Sequence, residues 1–156
     1  MHEGHWEFDG VRVVHAGELD PNTPQTAGML RQAAINARVG AQKLWAGTML
    51  VQASARTGPH HHGDLETILY VVRGRAKMVW GDRLQYVAEA GPGDFIFVPP
   101  YVPHQEINPS GDELECIVAA VKKRSSSTST SLRPSIRLRS IGSTTFITST
   151  PEVTTS

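Results

Sequence analysis

The chain has 156 residues, 39% of them hydrophobic, with 15 basic and 15 acidic side chains and a single cysteine. This length provides for one domain. Residues 1–121 carry 9 basic and 14 acidic side chains, so they lack the basic surface of a nucleic-acid-binding protein. Cys116 has no second cysteine for an internal disulfide, and no apolar run approaches the ~20 residues of a membrane helix. We therefore expect a cytoplasmic protein without nucleic-acid or membrane partners.

Short apolar or alternating runs follow one another from Val11 to Val121, separated by Gly, Pro and Asp. This pattern is typical of all-β sandwiches and barrels with antiparallel neighbours. The segment 28–43, rich in Ala, Gln and Arg, has room for a helix of about three turns at most, and its structure is left open. The predicted strands are Val11–His15, Leu44–Ala53, Thr67–Val72, Ala76–Trp80, Leu84–Ala88, Phe95–Val98 and Leu114–Val121.

The composition changes at Lys122, where a basic and Ser/Thr-rich tail begins. Eighteen of residues 125–156 are Ser or Thr, and no apolar periodicity persists for more than a few positions. Such a segment buries too little apolar surface to offset the entropy lost on ordering. We predict a folded domain over residues 1–121 and an irregular, disordered tail over residues 122–156.

Three consecutive histidines follow Gly58 and Pro59. In an extended segment alternate side chains face the same way, so His60 and His62 share one side. Glu66 follows four residues after His62, and two imidazoles with one carboxylate form a set that binds divalent transition metals with open coordination positions. The tract alone is also compatible with a solvated His-rich turn or an engineered remnant. A strand of buried character that runs through a Pro-rich corner into His104 favours the metal site.

Two spacings in this region resemble the cupin superfamily. The first cupin motif is G-x5-H-x-H-x(3,4)-E-x6-G, and the second is G-x5-P-x-G-x2-H-x3-N. The matching residues are His60, His62 and Gly74 in the first motif, and Gly93, Pro99, His104 and Asn108 in the second. Tyr101 stands at a Gly position of the second motif, and the region of Ser54 replaces the leading Gly of the first. The resemblance implies a jelly-roll β-barrel of two antiparallel sheets, with a metal ion inside its mouth.

The resemblance implies a divalent transition metal (Fe, Mn, Ni, Zn or Cu) bound by His60, His62, His104 and Glu66. The acidic ligand departs from the pattern, because counting back from Gly74 reaches Thr67 rather than Glu66. Either a one-residue bulge turns Glu66 toward the metal, or Thr67 faces the ion and water completes a three-histidine site. On the sequence alone, we favour Glu66 as the acidic ligand. Tyr101 places a phenol near the mouth, where it orients a substrate or caps the barrel.

Fold alone does not set the reaction, because the cupin scaffold hosts several chemistries. The first interpretation is a metal-dependent dioxygenase or similar oxidoreductase that acts on a small organic molecule. The alternatives are an isomerase or lyase of a sugar or small acid, and a ligand-binding module without turnover. The resemblance also implies a homodimer formed through the sheets.

The tail admits a further hypothesis about its origin. The run from Lys122 to Ser131 can be encoded by codons that, read in a shifted frame, give Glu-Ala-Val-Val-Val-Asn-Leu-Asp-Ile, which resembles the last strand of a cupin. We hypothesise that residues 122–156 are translated out of frame. Gene codons incompatible with that alternative frame would contradict the hypothesis.

Overall fold

The computed structural model describes residues 10–122, 135–141 and 144–150. The chain divides into two units, Met1–Lys123 and Arg124–Ser156. The described part of the first unit contains eight strands and two 3-10 turns, the latter at Ala16–Glu18 and Ala37–Val39. Its strands are β1 (Met29–Ile35), β2 (Leu44–Val51), β3 (Leu65–Arg73), β4 (Ala76–Trp80), β5 (Tyr86–Ala90), β6 (Phe95–Val98), β7 (His104–Ile107) and β8 (Leu114–Lys122).

The strands form two antiparallel sheets. One sheet has five strands in the order β1-β2-β8-β3-β6, and the other has three in the order β5-β4-β7. The central strand β3 shows why the sequence folds this way, since Thr67, Leu69 and Val71 are buried while Ile68 and Val72 on the opposite face are exposed. This period of two matches the pleat of a strand with one face toward a core. The predicted all-β jelly-roll barrel is confirmed.

The core lies between the inward faces of the two sheets, because alternate residues of facing strands meet there. Methionine and branched aliphatic side chains fill it, and the buried Cys116 acts as a small apolar residue among them. The cluster consists of Met29, Met49, Val51, Leu69, Val71, Ala76, Met78, Val98, Leu114 and Cys116.

The structure decides one open segment and differs from one predicted strand. The segment 28–43, which the sequence left open, contains β1 and a 3-10 turn rather than an α-helix, because β1 pairs with β2 and Met29 and Ala33 become buried there. The predicted strand at Val11–His15 is wrong: these residues form no strand, and Val11 is 97% exposed. An apolar run without a neighbouring strand gains neither ladder hydrogen bonds nor burial.

Tight turns between the strands depend on left-handed backbone conformations. Gly74 joins β3 to β4 with a φ of 88°, and a Cβ at this position would lie 2.7 Å from the Glu113 carbonyl oxygen. Tyr101 has a φ of 60°, which explains why the second cupin motif has glycine at this position. The backbone N–H of Tyr101 donates to the Gly63 carbonyl at 2.8 Å, so this corner contacts the turn after the three histidines.

The second unit contains a β-hairpin, formed by β9 (Ser135–Ile141) and β10 (Thr144–Thr150) in antiparallel pairing. The Ile residues of β9 and the Ile, Phe and Thr residues of β10 have high strand propensity, which favours local pairing. The expectation of an irregular tail did not include this hairpin. For residues 123–134 and 151–156, which lie outside the described residues, that expectation stays a prediction, as does the shifted-frame hypothesis.

Candidate metal centre

Two chain segments bring the three histidines together. His104 is the first residue of β7, and His60 forms an antiparallel bridge with it through backbone N–O distances of 3.0 and 2.9 Å. His62 lies two residues further on and therefore shares the side of His60. The ring centroids of His60 and His104 are 4.5 Å apart, and those of His62 and His104 are 4.7 Å apart. The predicted pairing of the His tract with His104 is therefore present in the structure.

In each of the three histidines, the Nδ1 atom lies within hydrogen-bond distance of another group of the protein. Nδ1 lies 2.9 Å from the Gly58 carbonyl in His60 and 2.9 Å from the Val102 carbonyl in His104. A carbonyl only accepts hydrogen bonds, so both Nδ1 atoms carry the proton and both Nε2 atoms present a lone pair. Metal-binding histidines in proteins have their second nitrogen held in this way.

His62 differs because its Nδ1 partner is a hydroxyl. Nδ1 of His62 lies 2.9 Å from Oγ1 of Thr67, which is able to donate or accept. When the hydroxyl accepts, Nε2 of His62 also presents a lone pair. The Nε2 atoms of His60 and His62 are 3.2 Å apart. With Thr67 as acceptor, two lone pairs face each other and a cation between them is favoured; with Thr67 as donor, the Nε2–H of His62 donates to Nε2 of His60.

A fourth candidate ligand, Glu106, follows two residues after His104 on the same face of β7. It is only 6% exposed, and its Oε1 atom lies 3.9 Å from Nε2 of His104. Its Oε2 atom lies 3.7 Å from the Arg31 guanidinium on β1. One potential ligand atom from each of His60, His62, His104 and Glu106 lies within 4.8 Å of the others.

Two buried polar atoms in this cluster have no hydrogen-bond partner: Nε2 of His104 and Oε2 of Glu106. An unpartnered buried polar atom costs free energy unless a metal, a proton or water satisfies it. A nitrogen lone pair and a carboxylate oxygen beside each other are both suited to a divalent transition metal. The residues present therefore fit such an ion.

Glu66 does not belong to this group. Its side chain is exposed on the outer face of β3, while the neighbouring Thr67 is 2% exposed and contacts His62. The only irregularity in the described β3–β8 register lies between Val71 and Arg73, so no bulge turns Glu66 inward. The structure thus corrects the choice between the two residues: Thr67 faces the cluster, and the carboxylate there belongs to Glu106. The signal for Glu106 was present in the sequence as His-x-Glu on a strand, where both side chains share one face.

Burial makes these imidazoles harder to protonate. Desolvation, followed by repulsion from His104 and His60, lowers the pKa of His62 from 6.5 to about 4. Desolvation also lowers the pKa of His104. Both side chains are therefore neutral near pH 7, which is the form that binds metals.

The lowered pKa of His62 predicts a pH dependence of the metal-free protein. Because the unfolded chain binds a proton near pH 6.5 and the folded chain only near pH 4, His62 destabilises the fold progressively as the pH falls through this window. Urea unfolding of EDTA-treated parent and His62→Gln protein measures this loss of stability. The expected result is a shallower loss of stability in the variant, and equal slopes in both proteins would contradict the prediction.

The cupin domain family matches residues 47–120, a span that contains His60, His62, His104 and the strands that position them. The chain belongs to the cupin superfamily. A search of curated proteins finds no significant match.

Solved structures with this cupin's fold include several enzymes and domains. The polyketide cyclase RemF from Streptomyces resistomycificus is 25% identical with a TM-score of 0.62, covering 73% of this chain and 81% of that one. KdgF from Halomonas sp. is 20% identical with a TM-score of 0.53, covering 65% and 86%. A cupin sugar phosphate isomerase from Silicibacter pomeroyi is 16% identical with a TM-score of 0.53, covering 62% and 61%. The latter two likenesses establish the fold alone.

Tyr101 sits beside this cupin's histidine tract without joining the cluster. Its ring lies 5.9 Å from that of His61, the histidine that faces away from His60 and His62, and its side chain is 64% exposed. A side chain in that position covers the outer side of the tract. Of the described residues, none forms a helix long and apolar enough to cross a membrane.

Proposed function

We propose that this cupin is a metal-dependent enzyme that uses a divalent ion as a Lewis acid on an oxygen-bearing organic substrate. His60, His62 and His104 would hold the ion through their Nε2 atoms, and Glu106 would complete the ligand set through Oε1. Such a set leaves coordination positions open for a substrate oxygen. The ion, when bound, would polarise a carbonyl and stabilise the negative charge that develops on its oxygen.

The observation that carries this proposal is the arrangement of the ring nitrogens. Carbonyl oxygens fix the Nδ1 protons of His60 and His104, while the Nε2 atoms converge on a buried carboxylate. A cluster that served only packing would satisfy its own polar atoms. Nε2 of His104 is instead left without a hydrogen-bond partner, and Oε2 of Glu106 has only its ion pair with Arg31.

Glu106 also has a role that does not depend on ligation. Its two carboxylate oxygens face different groups, with Oε1 toward His104 and Oε2 toward Arg31. The Glu106 carboxylate lies beside His104, whose side chain lines the cavity, so we assign to Glu106 the removal of a proton from a substrate carbon next to a carbonyl. The Arg31 guanidinium, 3.7 Å away, balances the charge of this carboxylate.

The likeness to a polyketide cyclase supports carbonyl chemistry over oxygen chemistry. Cyclisation of a polyketone requires removal of a proton beside one carbonyl and polarisation of another, and neither step consumes an oxidant. The dioxygenase interpretation requires a redox metal and O2. A comparison of zinc-loaded and iron-loaded protein therefore separates the two.

The experiment measures exchange of the α-protons of acetophenone with D2O by NMR, under nitrogen, with zinc-loaded protein. We expect metal-dependent exchange that Glu106→Gln slows about a hundredfold at saturating zinc, because the base is lost. The exposed Glu66→Gln serves as the matched control and is expected to leave the rate unchanged. Exchange that is equal in zinc-loaded and EDTA-treated protein would contradict the proposal. In a separate aerobic assay, substrate-dependent O2 consumption by iron-loaded protein, together with no exchange by zinc-loaded protein, would also contradict it.

Two further parts of the proposal concern the molecule as a whole. We propose a homodimer, supported by exposed Ile68, Phe95 and Phe97 on the outer face of the five-stranded sheet, and a cytoplasmic location. Light scattering on the purified chain tests the first, with a monomer as the contradicting result.

A further inference from the structure

A cavity of about 460 Å³ is lined by residues of β5 and β6 and reaches His104 of the candidate metal centre. Its volume lies in the range typical of small-molecule sites. It is lined by Met78 and Trp80 of β4, by the four residues of β6 and by His104. The cavity therefore leads to the same imidazole whose Nε2 atom has no hydrogen-bond partner.

The walls of this cavity offer a largely apolar surface and no Lys or Arg side chain. Two acidic residues reach its rim, and both have partners. The carboxylate of Glu89 pairs with Arg75 at 2.6 Å, and that of Asp94 accepts a hydrogen bond from the Gly91 backbone N–H at 2.8 Å. A binding site for a sugar or a phosphate needs several converging polar groups or a cation, because buried hydroxyl and phosphate oxygens must be paired.

We infer that the ligand of this cavity is a ring-bearing, largely apolar molecule with one oxygen directed at the metal centre. The ring body would contact the indole of Trp80 and the thioether of Met78, both of which favour aromatic partners. Only the direction of the oxygen rests on the proposed function. The preference for an apolar ring rests on the cavity walls alone and holds for the metal-free protein as well.

Small side chains on β5 leave the space that the ligand needs. Ala88 and Ala90 face the cavity, with Ala88 paired to Met78 across β4 and β5. Val87, the neighbour of Ala88, points to the opposite face of the sheet and is 58% exposed. A larger residue at position 88 therefore fills the cavity, whereas the same residue at position 87 enlarges only the outer surface.

The test uses isothermal titration calorimetry of the full chain with 1-naphthol, phenol and glucose 6-phosphate, each with EDTA-treated and zinc-loaded protein. We expect 1-naphthol to bind about tenfold more tightly than phenol, since its second ring buries more apolar area, and glucose 6-phosphate not to bind. Ala88→Phe is expected to weaken naphthol binding at least tenfold, and Val87→Phe less than twofold. Zinc content should be the same in both variants as in the parent.

The naphthol–phenol comparison on the unmodified protein supports or overturns the inference even where Ala88→Phe does not fold. Equal naphthol affinity in the parent and a folded Ala88→Phe variant would overturn it, as would binding of glucose 6-phosphate in preference to naphthol. Naphthol binding by a protein that takes up no zinc would support the apolar cavity while contradicting the proposed metal enzyme, so the two failures are distinguishable.

Discussion

Replacement of His104 by alanine is expected to lower the affinity for Zn²⁺ or Co²⁺ at least a hundredfold. His104 is 1% exposed. Its side chain lines the cavity, contacts the rings of His60 and His62, and lies 3.9 Å from Glu106. Its loss removes one nitrogen ligand, whereas loss of a residue that merely orients a ligand already costs tenfold to a hundredfold. Competition titration with a chromophoric chelator measures the change.

The matched control for this experiment is Glu66→Ala. Glu66 is exposed on the outer face of β3, so its removal should leave metal affinity within a factor of two. A large loss in Glu66→Ala together with none in His104→Ala would show that the ion binds elsewhere. Circular dichroism on both variants checks that the fold is kept.

Replacement of Asn108 by alanine is expected to destabilise the domain by about 3 kcal/mol. Asn108 is completely buried, and its Nδ2 group lies within hydrogen-bond distance of the carbonyls of Val51, Gln52 and Asp112, at 3.1, 3.1 and 2.7 Å. Its Oδ1 atom accepts from the backbone N–H and the hydroxyl of Ser110. The alanine variant leaves buried carbonyls unpaired where β2 and the turn after β7 meet.

Urea unfolding compares this variant with Asn22→Ala, which changes an exposed asparagine and should alter the free energy of unfolding by less than about 0.5 kcal/mol. A loss below 1 kcal/mol in Asn108→Ala would contradict the account of Asn108 as a structural anchor. Metal binding by the folded fraction should be retained, because Asn108 lies outside the group of potential ligands.

The sequence predicted those parts of the fold that depend on local alternation. Thr67, Leu69 and Val71 alternate with exposed residues along β3, and this pattern was readable without coordinates. The segment 28–43 was not decided, because Ala-rich and Arg-containing sequence suits a helix as well as a strand. Pairing of β1 with β2 and the burial of Met29 and Ala33 decide its conformation, and both are tertiary effects.

The sequence likewise predicted part of the candidate site, namely the three histidines but not the carboxylate. Strand periodicity predicted that His60 and His62 share a side, and the resemblance to the second cupin motif singled out His104. The structure brings the three together. The two ends of the motif disagreed, because the spacing from His62 allows Glu66 whereas counting back from Gly74 reaches Thr67, and Glu66 was favoured because its carboxylate had no other role. The register of β3 turns Thr67 inward. The choice depended on a shift of one residue, which reverses every side chain of a strand. The cavity could not be predicted, since it arises where β5 and β6 form the unpaired edges of two sheets.

The central claim is that His60, His62 and His104 bind one divalent transition metal ion. Elemental analysis after dialysis of the metal-stripped chain against Zn²⁺ or Co²⁺ tests it most directly, with a variant that has all three histidines changed to alanine beside it. The account predicts about one equivalent of metal per parent chain and none retained by the variant. Equal metal content in the two proteins, or no metal in the parent, would contradict the account.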